Sequence, residues 1–338
     1  MMPIAILHCS DLHFGSALVN RPPRWLVQTM QGYAAHDIRL CLAMKPALED
    51  VGDLAGLPEE EEPKVVVSGD LTAAGADKEF AVAHTFLRSL WRLWRAPPLG
   101  AGFDLRRPDA VDLPLATVPG NHDQWGGSRV WMWGYDPELA PTHFRPTPWR
   151  RVWNSGNLEV EFFGLDTNAG LDHRRPNPLA GGSLDQRPGG EVDRLRALLE
   201  QSDKEGSEKS ATVRIRALVL HHPLSGKGLP YPLDANSVDV LLRLAEAYNL
   251  TAFLTGHTHE FFFQALETRP NRRRKVWELR CASTLQGPTR RRPRPGFLAH
   301  KIWLDEGNRP RWVTWRYPWS KANRFAPRNR LTPCQVVL

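Results

Sequence analysis

The sequence predicts a layered α/β fold, and two observations carry that expectation. Through residue 255, apolar and β-branched runs alternate with segments of helical periodicity, the pattern of strands joined by helices. Beyond that point four strand-like segments follow one another with polar or Pro/Gly turns and no convincing helix between them, most simply a second sheet packed on the first. An apolar fraction of 41% over 338 residues is enough for a sizeable core.

Taken in order, Ile4-Ala5-Ile6-Leu7 opens a strand over 4–9, and helical spacing follows near 35–51. Val65-Val66-Val67 marks a strand over 64–68, with a helix over 77–94 and a strand at 114–118 built on Leu115-Ala116-Thr117-Val118. Strands are expected around 151–153 and 158–165, then a helix over 190–201. Ala217-Leu218-Val219-Leu220 lies in a strand over 213–220, a helix spans 235–248, and Ala252-Phe253-Leu254 forms a strand over 251–255. The last four segments are 260–268, 274–282, 296–304 and 311–317. Continuous apolar runs of this kind are those of strands buried on both faces.

One domain over 1–318 is expected, with insertions near 95–113 and 124–150 and a C-terminal tail, 319–338, lying over the domain or a partner. The second insertion carries Trp125, Trp131, Trp133 and Trp149 and reads as a lid or a substrate wall. Most of the thirteen tryptophans are expected to pack in the core. Segment 202–212 is polar and reads as a flexible surface connection. Cys9, Cys41, Cys281 and Cys334 have no zinc-like spacing and read as free thiols. With no signal-peptide pattern and no transmembrane segment, the reading is of a cytoplasmic protein.

A net charge of +7 favours an anionic partner or substrate. Two basic clusters, Arg272-Arg273-Arg274-Lys275 and Arg290-Arg291-Arg292-Pro293-Arg294, read equally as solvated loops or as phosphate contacts.

Each of five predicted strands ends in residues that bind hard cations: Asp11-Leu12-His13, Gly69-Asp70, Gly120-Asn121-His122-Asp123, His221-His222-Pro223 and Gly256-His257-Thr258-His259. Six of the twelve histidines fall in these segments. One motif alone would be chance; five in order, each behind an apolar run, argue for a joint site at the strand ends of one sheet. Aspartate can bridge two cations, and imidazole nitrogen and amide oxygen are neutral ligands, so the set suits a dinuclear centre of Mn, Fe or Zn. Asp70 is the expected bridge. Asp11, His13 and His259 would complete one ion, and Asn121, His221 and His257 the other. His257 and His259 would face one side on an extended backbone, or be split between the ions by a turn. Two ions about 3.5–4 Å apart activate a bridging water and stabilise in-line displacement at phosphorus. His122 is the expected catalytic imidazole, stabilising charge or protonating the leaving group. Asp123 would orient His122 or a neighbouring ligand.

Through Ser10-Asp11-Leu12-His13-Phe14-Gly15, Ser68-Gly69-Asp70-Leu71-Thr72, Pro119-Gly120-Asn121-His122-Asp123, His221-His222-Pro223 and Gly256-His257-Thr258-His259, the chain resembles the calcineurin-like metallophosphoesterase superfamily. The resemblance implies a four-layered αββα sandwich of two mixed β-sheets flanked by helices, and a two-metal hydrolase attacking through a metal-bridging hydroxide. The first two motifs are most similar to class III cyclic nucleotide phosphodiesterases and related bacterial phosphodiesterases. Protein serine/threonine phosphatases carry an orienting aspartate three residues after the Gly-Asp aspartate; here that position is Ala73, which leaves the orienter of His122 unassigned. Motif alignment makes His221 the ligand rather than His222.

The expected activity is therefore hydrolysis of a small anionic phosphodiester, such as a cyclic nucleotide. A DNA or RNA nuclease is the alternative, supported by the basic clusters and loop aromatics but lacking a heptad run. A phospholipid-related substrate also suits amphipathic loops and basic clusters. A metal-binding scaffold without catalysis is a reading of another class, set against the competent residue at every ligand position.

Overall fold

The computed structural model describes residues 2–15, 36–90, 115–126, 139–172, 181–207, 212–225, 232–268, 275–286, 294–327 and 334–336. Their elements run β1 (Ile4–Cys9), α1 (Ile38–Ala55), β2 (Lys64–Val67), α2 (Asp77–Ser89), β3 (Leu115–Thr117), a 3-10 turn at His122–Gln124, α3 (Leu139–His143), β4 (Trp149–Ser155), β5 (Leu158–Gly164) and α4 (Glu191–Ser207). They continue through β6 (Val213–Val219), α5 (Ala235–Ala247), β7 (Ala252–Thr255), β8 (Phe262–Glu267), β9 (Lys275–Arg280), β10 (Gly296–Leu304), β11 (Pro310–Pro318) and β12 (Cys334–Val336). The insertion at 95–113, residues 127–138 of the tryptophan-rich loop, and both arginine runs apart from their last residues lie outside the described residues.

Two six-stranded sheets result, ordered β12-β11-β10-β1-β2-β3 and β4-β5-β6-β7-β9-β8. In the first, β1, β2 and β3 are parallel while β10, β11 and β12 add antiparallel strands. In the second, β5, β6, β7 and β9 are parallel, with β4 and β8 antiparallel at the edges. Three sequence expectations change here. The β-rich C-terminal end does not form a sheet of its own: β8 and β9 extend the second sheet, whereas β10 and β11 cross to the first and pair with β1. The five motifs do not end one sheet either, since three follow β1, β2 and β3 and two follow β6 and β7. The C-terminal segment, expected as a tail over the domain, contributes β12 to the first sheet.

Period-two alternation sorts the second sheet between two cores. Phe162, Ala217, Val219, Ala252 and Leu254 face the first sheet, in a cluster shared with Ile6, Val65, Val67, Phe297 and, from the helices, Leu40, Met44 and Phe80. Phe163, Leu218, Leu220 and Phe253 face the other way, onto Val192, Leu195 and Leu199 of α4 and Leu241, Leu244 and Ala245 of α5. Helices thus cover both outer faces, giving the αββα sandwich. Trp149 pins the sheets together near the motif loops, its indole N–H donating to the Thr117 carbonyl at 2.9 Å.

Local sequence sets the helix limits. Asp37 caps α1 by accepting from the Arg39 amide at 2.9 Å, so the helix starts at 38 rather than 35. Asp234 caps α5 through the amides of Asn236 and Ser237. The polar stretch from Ser202 is helical through Ser207, because Ser202 is buried and its hydroxyl donates to the Glu161 carboxylate.

Glu161 also takes Arg216 Nε at 2.7 Å and the Arg150 guanidinium, joining β4, β5, β6 and α4 in one buried ionic network. Removing its carboxylate takes the shared buried partner from two guanidinium groups, leaving Arg150 with Glu205 and Arg216 with Asp203 at the edge of the network. Glu161→Ala is expected to destabilise the fold by about 3–5 kcal/mol, read from the denaturant midpoint; a loss below about 1 kcal/mol, the scale of an exposed pair, would remove the network from the stability account.

Candidate metal centre

The motif loops leave the carboxyl ends of parallel strands in both sheets, where open α/β sheets collect ligands. Each loop turns sharply. Asp11, His13, Asp70, His257 and His259 adopt φ of 51°, 50°, 54°, 70° and 59°, and the other described non-glycine residues with positive φ are all asparagine. Few non-glycine residues adopt this left-handed backbone, Asn, Asp and His among them most readily, and such conformations gather at functional sites. Here it turns successive side chains back toward one point. The loops are also bound to one another: Asp11 N donates to the Gly69 carbonyl and His13 N to the Asp70 carbonyl, both at 3.0 Å.

All seven expected ligands meet between the sheets. Asp70 Oδ2 lies 3.8 Å from His13 Nε2 and 3.3 Å from His221 Nε2. Asp11 Oδ1 lies 3.1 Å from His259 Nε2 and 3.8 Å from His13 Nε2. Nε2 of His221 is also 3.0 Å from Asn121 Oδ1 and 3.2 Å from His257 Nδ1. Three overlapping groups of donors follow, Asp11/His13/His259, His13/Asp70/His122 and Asp11/Asp70/His221, each compact enough for one ion. His257 and His259 are divided by their turn, the former against His221 and the latter against Asp11.

The remaining atoms of these side chains are tied down, which fixes the free ones. Asp11 Oδ2 accepts from the Ser10 hydroxyl at 2.6 Å and the His257 amide at 3.0 Å. Nδ1 of His221 sits 2.8 Å from the Ser68 carbonyl, which only accepts, so Nδ1 carries a proton and Nε2 faces the site. Asp70 Oδ1 accepts from the His122 amide at 2.9 Å. Among the described residues, Asp11 Oδ1 and His13 Nε2 are buried without a hydrogen-bond partner, the condition of atoms placed for a ligand that is neither backbone nor side chain. Carboxylate oxygen, imidazole nitrogen and amide oxygen together fit a divalent transition metal.

Electrostatics point the same way. Burial raises the Asp70 carboxyl, but His221, His122 and His13 around it prevail and hold it well below the usual carboxylate range. Burial lowers His221, yet Asp70 and then Asp11 overcome this and raise it to about 9. The two buried carboxylates therefore draw positive charge to their midpoint.

His122 brings Nε2 to the edge of this group, 3.9 Å from Asp70 Oδ2. Its Nδ1 donates to the Ala73 carbonyl at 2.9 Å, and its ring lies against Trp125 with centroids 3.7 Å apart. Asp123, expected to orient His122 or a neighbouring ligand, meets the loops that carry Asp70 and Asn121. Its carboxylate accepts from the amides of Leu71, Thr72 and Gly120 and from the Thr72 hydroxyl at 2.8–3.1 Å, so it binds the Asp70 loop to the Asn121 loop rather than steering the imidazole. Burial and the nearby Asp70 push its pKa up to about 7, against those four donors. His222 sets its ring edge-on to His221, with centroids 5.1 Å apart, and its Nδ1 meets the Thr167 hydroxyl at 2.6 Å. Sequence reasoning assigned no contact to Ser10, Ser68 or the Ala73 carbonyl, although they lie in or beside the motifs, and missed Ser283, whose hydroxyl donates to the Asp11 carbonyl from 272 residues away without any local signal.

A family model described as calcineurin-like phosphoesterase matches residues 4–261, and the chain belongs to that family. Its members use divalent metals. No curated protein matches the sequence. Among solved structures, the chain is similar to vacuolar protein sorting 29 from Cryptosporidium parvum, at 10% identity over 99% of this chain and 98% of that one, with a TM-score of 0.41. It is similar to Vps29 from Chaetomium thermophilum at 12% identity, covering 98% and 97%, TM-score 0.36. A metallophosphoesterase from Sphaerobacter thermophilus aligns at 11% identity over 95% and 91%, TM-score 0.33. At identities this low, function is argued from the site.

Gly120 permits the close approach of two motif loops, because a Cβ there would collide with the Asp70 carboxylate and amide. Gly120→Ala is expected to displace Asp70 and cut retained metal to below about half of wild type while the far-ultraviolet circular dichroism is kept. Full retention of metal would contradict this packing.

Proposed function

We propose that this member of the calcineurin-like phosphoesterase family is a dinuclear metal-dependent phosphodiesterase acting on a small anionic diester. The observation that carries the reading is Asp70, one carboxylate facing donors from both sheets: His13 on one side and His221 on the other. Asp11, His13 and His259 would hold one ion, Asn121, His221 and His257 the second, and Asp70 both. Bound there, Mn, Fe or Zn would activate water and neutralise charge developing on the phosphoryl group.

The chain's own residues would do the rest. His122 presents Nε2 beside the ligand cluster, with Nδ1 fixed on Ala73, so it would stand within reach of a phosphoryl oxygen or leaving group and supply a proton or a hydrogen bond there. Asp123 would act by position, keeping the loops of Asp70 and Asn121 in register. Ala73 supports the diester preference, since it stands where protein serine/threonine phosphatases carry an orienting aspartate.

The test is hydrolysis of a chromogenic phosphodiester against the matching monoester after reconstitution with manganese. A strong diester preference is expected. A monoester preference would overturn the substrate class, and no turnover of either, with fewer than about one metal equivalent bound, would overturn the catalytic reading. Two variants divide the roles. Asp70→Asn is expected to lower both metal content and turnover, whereas His122→Ala should keep the metals and lower kcat by about 10²–10⁴-fold. Wild-type activity in Asp70→Asn would refute the shared ligand.

A further inference from the structure

We infer that Glu79 is a positioning residue for His122 and acts on it through a single peptide unit; the inference rests on the phosphoesterase reading. The Nδ1–H of His122 donates to the Ala73 carbonyl at 2.9 Å. That carbonyl belongs to the same planar peptide as the Ala74 N–H, which donates to Glu79 Oε2 at 2.8 Å. A carboxylate at the N–H end of a peptide makes its carbonyl oxygen a stronger acceptor, because hydrogen bonds in series polarise one another. The order imidazole, peptide, carboxylate therefore does for His122 what a directly bonded carboxylate would do. Ala73 itself offers none, and the Asp123 oxygens are engaged with Leu71, Thr72 and Gly120.

The surroundings hold Glu79 in this place. It lies in the first turn of α2 and reaches back also to the Ala76 amide, at 3.4 Å. The peptide just before it is held as well, since the Ala73 amide donates to the Phe14 carbonyl at 2.9 Å. Gly15 supplies the room: a Cβ there would stand 2.5 Å from Glu79 Oε1 and 2.6 Å from Ala73 Cβ. The first, second and third motifs thus meet around one peptide plane.

A purely structural role, the capping of α2, is the competing account, and a double-mutant cycle separates the two. Glu79→Ala and Glu79→Gln would be made in the wild-type and His122→Ala proteins, with metal content, KM and kcat measured for each. Glutamine keeps an acceptor for the cap and the shape of the side chain but removes the charge. The expected result is about a tenfold loss of kcat in Glu79→Ala and a smaller loss in Glu79→Gln, with KM and metal content unchanged and little further loss in the His122→Ala background. An equal fold-loss in both backgrounds, metal lost in step with activity, or unchanged kcat in Glu79→Ala would overturn the proposal. Nitrogen-15 NMR of the metal-free protein decides it independently of turnover. The Nδ1 resonance of His122, assigned against His122→Ala, should move in Glu79→Ala; an unmoved resonance would overturn the relay even if the wild type hydrolyses no ester tested. A moved resonance in an inactive protein would instead keep the relay and sink only the phosphoesterase reading.

Discussion

Asp70 is the point at which the two sheets meet chemically. Its carboxylate is buried, bonded on one oxygen to the backbone of the Asn121 loop and open on the other toward His13, His122 and His221. A buried carboxylate is costly to desolvate unless compensated, and the compensation here comes from imidazoles delivered by both sheets. Everything nearby serves that arrangement. Left-handed turns aim Asp11, His13, His257 and His259 inward, and the backbone bonds of Asp11 and His13 to the Gly69–Asp70 segment keep the first two motifs together. The αββα layers give the loops a rigid base, and Trp149 fastens one sheet to the other close by.

Around this centre the supporting contacts run mainly through backbone. Asp123 holds amides, His221 leans on the Ser68 carbonyl, and His122 leans on the Ala73 carbonyl. Side chains that position others by way of the main chain leave few residue-type signatures. This explains why the sequence leaves Asp123 between His122 and a neighbouring ligand, while its oxygens close the gap between two loops.

Much of the fold was legible because the strands that lead into the motifs carry continuous apolar runs, each followed by a polar or glycine-bearing turn. The period-two split of Phe162 from Phe163 and of Leu218 from Val219 is likewise written in the chain. Strand destination was not legible. Nothing in the composition of Gly296–Leu304 says that it pairs antiparallel with Ile4–Cys9, some 290 residues away, rather than with its neighbour Lys275–Arg280. The expected ligands were visible as a set because short donor motifs recur at strand ends. Contacts made by single residues from distant loops, such as Ser283 on Asp11, have no local pattern to read. The helical continuation through Ser202–Ser207 was hidden for a related reason, the Ser202 hydroxyl being satisfied by a buried carboxylate on another element.

The central claim is that one carboxylate, Asp70, is shared by two ions. Electron paramagnetic resonance of the manganese-loaded protein, with metal content measured on the same sample, tests it most directly. The account predicts about two equivalents per chain and the spectrum of an exchange-coupled pair, as ions about 3.5–4 Å apart require. One equivalent with the spectrum of an isolated ion, or two ions without coupling, would contradict it.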